Sequence, residues 1–400
     1  MTTKLINKKT AAGVLALLAA ALMAQATPPV FNLIGSSQGF VAIDSNGIVY
    51  VADSLANEVI SYTPPASPGG SWIQTVLYQF AGGAFSAQLG QLVVGPSTAS
   101  GQPVLYGVTN AAGSANLGTI YSLTPPGSPG GVWTEAVLYN FIGAADSSYP
   151  IALARAANGT LFGVTAGAYN STNSTVFMLD QPSQPAGSWT HSVIYAANYY
   201  ILPGTFQGLT IGSAPKACHG LPILYGYGDT FSGTVFSLTP PTTTGGSWTE
   251  ADLNTSVGAA TGSLTVGPDG TLYGTTWEGG NQDGGTVFSL TPPASPGAAW
   301  TETTIYNFNS GPGGTEPLSG VVMSSQGVLY GTTLDTTTGY GWGTIFSLSP
   351  PKAAGKPWTK HNLYQFSSMV GGNPSTPMVL YGGVLYGTTS RDGGLFSLVP

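Results

Sequence analysis

Two tryptophans in this chain, Trp277 and Trp342, stand apart from the other six, which recur in step with a repeating motif. Each lies in a Gly-rich stretch with acidic or aromatic neighbours: Glu278 and Asp283 beside Trp277, Asp335 and Tyr340 beside Trp342. Flat aromatic faces next to carboxylates suit sugar recognition. The ring stacks on the aromatic, and its hydroxyls hydrogen-bond to the acids. Trp277, Glu278, Asp283, Asp335, Tyr340 and Trp342 are therefore the candidate ligand-binding residues, for a carbohydrate or a peptide. The competing reading is that each indole packs over its own loop. An enzymatic alternative is a polysaccharide hydrolase or lyase. A glycosidase needs two carboxyl groups roughly 5–10 Å apart across one cavity, and Glu278 with Asp335 is the pair that could supply them. A third reading is a structural cell-surface interaction module.

Other chemistry is thin. His191, His219 and His361 share no spacing, and Cys218-His219 has no further ligand pair near it in sequence, so no zinc site is expected. Asn281-Gln282-Asp283-Gly284-Gly285 resembles half a calcium loop but lacks the alternating acid run and the terminal Glu. No Lys and no strand-to-helix junction follows the Gly-rich gaps, as a phosphate loop would require. No catalytic residue, metal ligand or cofactor is assigned.

What positions the candidates is a repeat. Leu-Tyr-Gly-Thr-Thr, a Gly-rich gap and Gly-Thr-Val-Phe-Ser-Leu-Thr-Pro-Pro are written most clearly over 272–293. The aromatic of the first segment falls at Tyr50, Tyr106, Phe162, Tyr225, Tyr273, Tyr330 and Tyr386. An in-phase Trp follows at Trp72, Trp133, Trp189, Trp248, Trp300 and Trp358. Each repeat offers four short runs rich in Val, Tyr, Phe and Thr, bounded by Gly, Pro, Asp and Asn; in the fifth they are 263–266, 271–275, 286–290 and 300–308. No sustained 3.6-residue apolar period follows the N-terminus, so helices should be nearly absent. Four antiparallel strands per unit of about 50 residues is the pattern of a propeller blade.

The seventh copy lacks a Trp and a fourth strand. Val30-Phe31-Asn32-Leu33-Ile34-Gly35 resembles the fourth-strand segment Leu138-Tyr139-Asn140-Phe141-Ile142-Gly143. The expected fold is thus an all-β, seven-bladed propeller of four-stranded antiparallel blades, its last blade completed by the N-terminal strand. Closure of this kind removes an exposed sheet edge. An open β-solenoid is the alternative.

Residues 1–26 read as a signal peptide: Lys4, Lys8 and Lys9, an apolar stretch from Ala11 to Met23, then Ala24-Gln25-Ala26 as cleavage site. The mature chain, 27–400, is expected to be one propeller domain, secreted to the periplasm or outside, without a membrane span and monomeric. The whole chain has 9 basic and 16 acidic residues. Without the three leader lysines, 6 basic residues face 16 acidic, which argues against nucleic acid and anionic membranes as partners. A single cysteine allows no internal disulfide.

With these segments in view, the Leu-Tyr-Gly-Thr-Thr…Gly-Gly-Thr-Val-Phe-Ser-Leu-Thr-Pro…Leu-Tyr-Asn-Phe pattern resembles the bacterial tandem repeat called GloVer, found in secreted proteins with varied C-terminal anchors. It is strongest over 262–308 and 318–366. The first copy, from Val41 to Asp53, is more similar to an NHL propeller repeat. Both resemblances imply a propeller and neither implies a catalytic residue. The anchor segment that many GloVer proteins append is not seen, which implies a free secreted form.

In such a blade the loop joining strands two and three shares a face with the crossover to the next blade; we call this the first face. It collects the candidate residues together with Asp53, Glu58, Asp146, Tyr149, Glu316 and Arg391. The second face carries Pro-Gly turns, where proline ends the third strand for want of an amide donor. The residue two after each in-phase Trp (Gln74, Glu135, His191, Glu250, Glu302, Lys360) varies in type, which predicts a solvated outer strand.

Overall fold

The computed structural model describes residues 28–400 apart from 68, 82–86, 129, 144–145, 168–173, 185–186, 197–207, 217, 219, 230–232, 244, 255–256, 296, 310–313, 335–341, 354, 368–370 and 392. Twenty-eight strands form seven four-stranded antiparallel sheets, and the described residues include no α-helix. Among the described residues, no helix is long and apolar enough to cross a membrane. Blades one to six run in chain order. Blade five consists of Ala260–Val266, Leu272–Thr276, Thr286–Thr291 and Thr301–Asn307. Its first strand starts earlier than the apolar run suggests, because an irregular stretch between Thr261 and Thr265 is absorbed without ending the pairing.

Blade seven takes three strands from the C-terminal end of the chain and its outermost strand from Val30–Gly35. Val30 pairs with Val399, Phe31 with Leu398 and Asn32 with Ser397, antiparallel. The Phe31 ring stacks on Tyr364 of blade six at 3.8 Å and meets Phe366 edge-on, so the strand also seals the joint between blades six and seven. Thr388 of blade seven donates its hydroxyl to Gly39 O of blade one at 2.6 Å, stitching the ring shut at its axis.

The repeated residues explain themselves by packing. The glycine of Leu-Tyr-Gly lies against the third-strand aromatic ring of its own blade. At Gly331 a Cβ would come within 2.5 Å of Phe346 Cζ. Those third-strand rings, Phe177, Phe288, Phe346 and Phe396 among them, are fully buried. Seven hydrophobic clusters among the described residues each straddle one pair of adjacent blades, so the core is a ring of interfaces rather than one centre. In five blades the in-phase Trp meets the Leu-Tyr-Gly aromatic of the blade before it: Trp72 on Tyr386, Trp189 on Tyr106, Trp248 on Phe162, Trp300 on Tyr225 and Trp358 on Tyr273. All are edge-to-face at 5.8–6.3 Å. Such a pair contributes about 0.5–1.5 kcal/mol beyond its buried area.

The residue two after that Trp is exposed at Gln74 and Glu302, as the sequence suggests, but in three blades it departs from that expectation. There alternation along the outer strand turns Glu135, His191 and Lys360 toward the preceding blade rather than into solvent. Tyr78 donates to Glu135 Oε2 at 2.8 Å, His191 stacks on Tyr139 at 4.0 Å, and Lys360 Nζ lies over the Tyr306, Phe308 and Phe346 rings at 5.6–5.7 Å. Burial there lowers the His191 pKa and brings Lys360 down to about 8. These side chains bridge blades, and their variety reflects different ways of meeting the same tyrosine position.

Candidate functional site

The first face is organised by the crossovers. Where five of them enter the next innermost strand, one residue adopts a left-handed conformation: Gln88 (φ 49°), Tyr149 (57°), Glu316 (58°) and Asn373 (55°), with Gly258 (94°) in blade five. A side chain is unfavourable there, and backbone bonds hold it in place. The Glu316 N–H donates to Gly284 O at 2.9 Å, and Glu316 O accepts from Leu334 N–H at 3.2 Å. Asn373 does the same with Trp342 O and Ser390 N–H, and Tyr149 with Leu117 O and Ala166 N–H. Tyr149, Glu316 and Asn373 therefore each clamp together the second-to-third-strand loops of two neighbouring blades.

The clamped crossovers surround a cavity of about 300 Å³ at the mouth of the central axis. Its polar wall is made by Gln38, Gln88, Gln91, Asn110, Ser263 and Thr389, and its apolar wall by Phe40, Leu55 and Ile151. None of the residues lining it carries a titratable side chain. A deeper chamber of about 240 Å³ shares Phe40, Gln91, Ser263 and Pro377 with it and continues past Tyr330 and Met378.

Several polar groups in the wall already have partners. Gln91 Oε1 accepts from Leu153 N–H at 3.1 Å. Gln38, with its amide oriented to satisfy both neighbours, donates to Ser390 O and accepts from Gly393 N–H, each at 3.1 Å. Two groups do not: Asn110 Oδ1 and Thr389 Oγ1 are buried without a hydrogen-bond partner. The second has a traceable origin. Blades two, three, five and six close the tops of strands two and three with a buried threonine pair: Thr109–Thr119, Thr165–Thr175, Thr276–Thr286 and Thr333–Thr344, at 2.7–2.9 Å. In blade seven Thr389 faces Gly394, so its hydroxyl has nothing to bond. In blade one the same pair is Asp53 and Glu58. Asp53 accepts the N–H groups of Gln38, Leu55 and Ala56 at 2.9–3.0 Å. Burial, and secondarily the facing Asp53, raise the Glu58 pKa.

The residues proposed from sequence lie elsewhere on this face. Trp277, Glu278 and Asp283 share one loop of blade five. Trp277 is half-buried with its indole N–H unpartnered, and Glu278 is exposed. Asp283 accepts from Gly279 N–H at 2.7 Å and so holds its own loop closed. Trp342, in blade six, lies under the Arg391 guanidinium, 4.2 Å from its Cζ to the ring centroid. Asp335 and Tyr340 lie outside the described residues. None of Trp277, Glu278, Asp283 and Trp342 lines the axial cavity. Among the described residues, no group of three or more His, Cys, Asp or Glu side chains is placed to hold a metal ion.

The glycine against a third-strand ring recurs through blades four to seven: Gly226 on Phe236, Gly274 on Phe288, Gly331 on Phe346 and Gly387 on Phe396. Residues 223–398 match the family model of the Gloeobacter/Verrucomicrobia repeat. The matched stretch holds Trp277, Trp342 and Thr389, while Gln38, Gln88 and Asn110 come from the part before it. A search of curated proteins finds no match. Among solved structures, the chain is similar to a streptogramin B lyase at 15% identity and TM-score 0.54, over 92% of this chain and 97% of that one. It is similar to virginiamycin B lyase from Staphylococcus aureus at 17% and 0.53, over 92% and 98%. It is also similar to the extracellular domain of a hybrid two-component system from B. thetaiotaomicron at 13% and 0.54, over 93% of this chain and 42% of that one. At these identities the likeness is one of fold.

Proposed function

We propose that this chain is a secreted, monomeric binding propeller whose ligand is a carbohydrate seated in the axial cavity on the first face. The observation that carries the reading is the wall of that cavity. It offers amides and hydroxyls beside small apolar surfaces, and two of its residues, Asn110 and Thr389, each hold a polar oxygen that is buried and unpartnered. A buried acceptor without a donor is unfavourable by about 1–3 kcal/mol, and a sugar hydroxyl is a donor of the right kind. Phe40, Leu55 and Ile151 supply the apolar surface against which sugar C–H groups rest. A wall without titratable groups suits binding better than proton transfer, which needs a group able to gain or lose a proton near neutrality. Secretion rests on the leader pattern of 1–26 in the sequence, and the likeness to an extracellular domain agrees with it.

The test uses oligosaccharides of two to four residues, neutral and acidic, titrated calorimetrically and by thermal shift. Binding to the native state raises Tm in proportion to ligand concentration over Kd. The decisive variant is Thr389→Val, which removes an unpaired hydroxyl without emptying space. It should leave the free protein as stable as the parent or slightly more so, yet weaken sugar binding about five- to tenfold. Asn110→Ala should weaken it similarly. If no oligosaccharide shifts Tm, or if binding is indifferent to both variants, the reading fails.

A further inference from the structure

Only six cationic side chains lie beyond residue 26 of this acidic chain, and one of the two arginines, Arg391, directly follows residues of the axial cavity wall. Thr389 and Ser390 line that cavity, and Arg391 is the next residue. Its guanidinium lies over the Trp342 ring at 4.2 Å, and among the described residues no carboxylate pairs with it. The arrangement is built rather than incidental. Gly372 and Arg391 exchange two backbone hydrogen bonds of 3.0 Å. The left-handed Asn373 then donates its N–H to Trp342 O and accepts from Ser390 N–H. The same two crossover residues therefore fix both the loop that carries the indole and the loop that carries the guanidinium. Gly372 must lack a side chain, because a Cβ there would sit 2.7 Å from the Trp342 ring.

A guanidinium resting on an indole uses its face for the ring and keeps its N–H donors free at the edge. This fixed fork matches a carboxylate in two-pronged fashion. The cavity beside it takes hydroxyls but offers nothing to a charge. We propose that Arg391, carried on Trp342, is a carboxylate subsite at the lip of the axial cavity, so that the ligand is an acidic sugar, an oligosaccharide bearing a uronic acid. This rests on the carbohydrate reading of the cavity and adds the charge of the ligand to it. The recognised group is the uronate carboxylate, and the adjoining ring occupies the mouth of the cavity.

The experiment compares trigalacturonate with its neutral counterpart galactotriose on the parent protein, Arg391→Gln and Arg391→Lys. Thermal unfolding without ligand confirms that each variant folds. The parent should bind trigalacturonate about tenfold or more tighter than galactotriose at low salt, with the preference shrinking as salt rises. Arg391→Gln should abolish the preference while leaving galactotriose affinity within about twofold, since only the charged contact is removed. Arg391→Lys should recover part of it, for a lysine keeps the charge and loses the fork. A preference that survives in Arg391→Gln overturns the proposal. So does galactotriose binding as well as trigalacturonate to the parent, which leaves the carbohydrate reading standing. Binding of neither sugar, or of an acidic peptide in their place, overturns both.

Discussion

Blades five and six keep the repeat, and blades seven and one break it. In the first pair, a threonine hydroxyl on strand two meets one on strand three at the top of the blade. In the second pair, the equivalent positions are Thr389 facing Gly394 and Asp53 facing Glu58. Blades seven and one also meet at the joint next to the N-terminal strand, and between them they supply much of the cavity wall: Gln38, Phe40, Ser54 and Leu55 on one side, Ser375, Thr376 and Thr389 on the other. In the faithful copies the two threonine hydroxyls satisfy each other. In blade seven the altered copy leaves the Thr389 hydroxyl without a partner.

That contrast can be broken by mutation. The largest effect should come from deleting Val30–Gly35. Blade seven would lose its outer strand and the Phe31 stack on Tyr364, and the freed edge of Gly394–Val399 would be open to other chains. Calorimetry and size-exclusion chromatography should show a Tm lower by more than about 10 °C together with oligomers. A monomeric deletion variant with parental Tm would remove the N-terminal strand from the account of closure. Gly331→Ala comes next. Its methyl would press on the buried Phe346 ring, and urea titration should show a loss of about 1–3 kcal/mol.

Smaller and more pointed is the pair Thr276→Val and Thr389→Val. The first strands the buried Thr286 hydroxyl and should be unfavourable by about 1–2 kcal/mol, whereas the second strands nothing. Equal losses in both would erase the distinction between kept and broken copies. The smallest effect is a pH dependence. Lys360 has a pKa of about 8 in the fold, below its usual 10.5, so between those values the unfolded chain holds the proton that the folded chain has released. Its contribution to stability therefore rises with pH across that window. Stability curves of the parent and Lys360→Met should diverge above pH 8, the parent gaining relative to the variant. Parallel curves would mean that the amine is not buried between blades five and six.

The architecture was legible in the sequence because a propeller spends most of its residues on periodic contacts. The Gly of Leu-Tyr-Gly, the buried Phe of Val-Phe-Ser-Leu and the in-phase Trp each announce their role by recurring. Val30 to Gly35 could be placed because it copies a fourth-strand segment. The bridging role of Glu135, His191 and Lys360 was hidden. Alternation shows which way a side chain points from its own sheet, but the neighbouring sheet that receives it comes from the angle between blades. The cavity was hidden for another reason. A search for charged and aromatic residues out of phase finds Trp277 and Trp342, whereas Gln38, Gln88 and Asn110 are inconspicuous in a chain rich in small polar residues. One signal was readable: the second-strand threonine Thr389 is followed by a third strand that opens with Gly394 instead of threonine.

The hydrogen bond between Gly39 and Thr388 joins residues 349 positions apart. At a synthesis rate of about 5–20 residues per second, the first strands wait on the order of tens of seconds for the partners that close the ring. Throughout that interval blades can form one by one while the circle stays open. Closure is a late event in the life of the chain, and an unclosed array is a form that can still be threaded through a narrow opening.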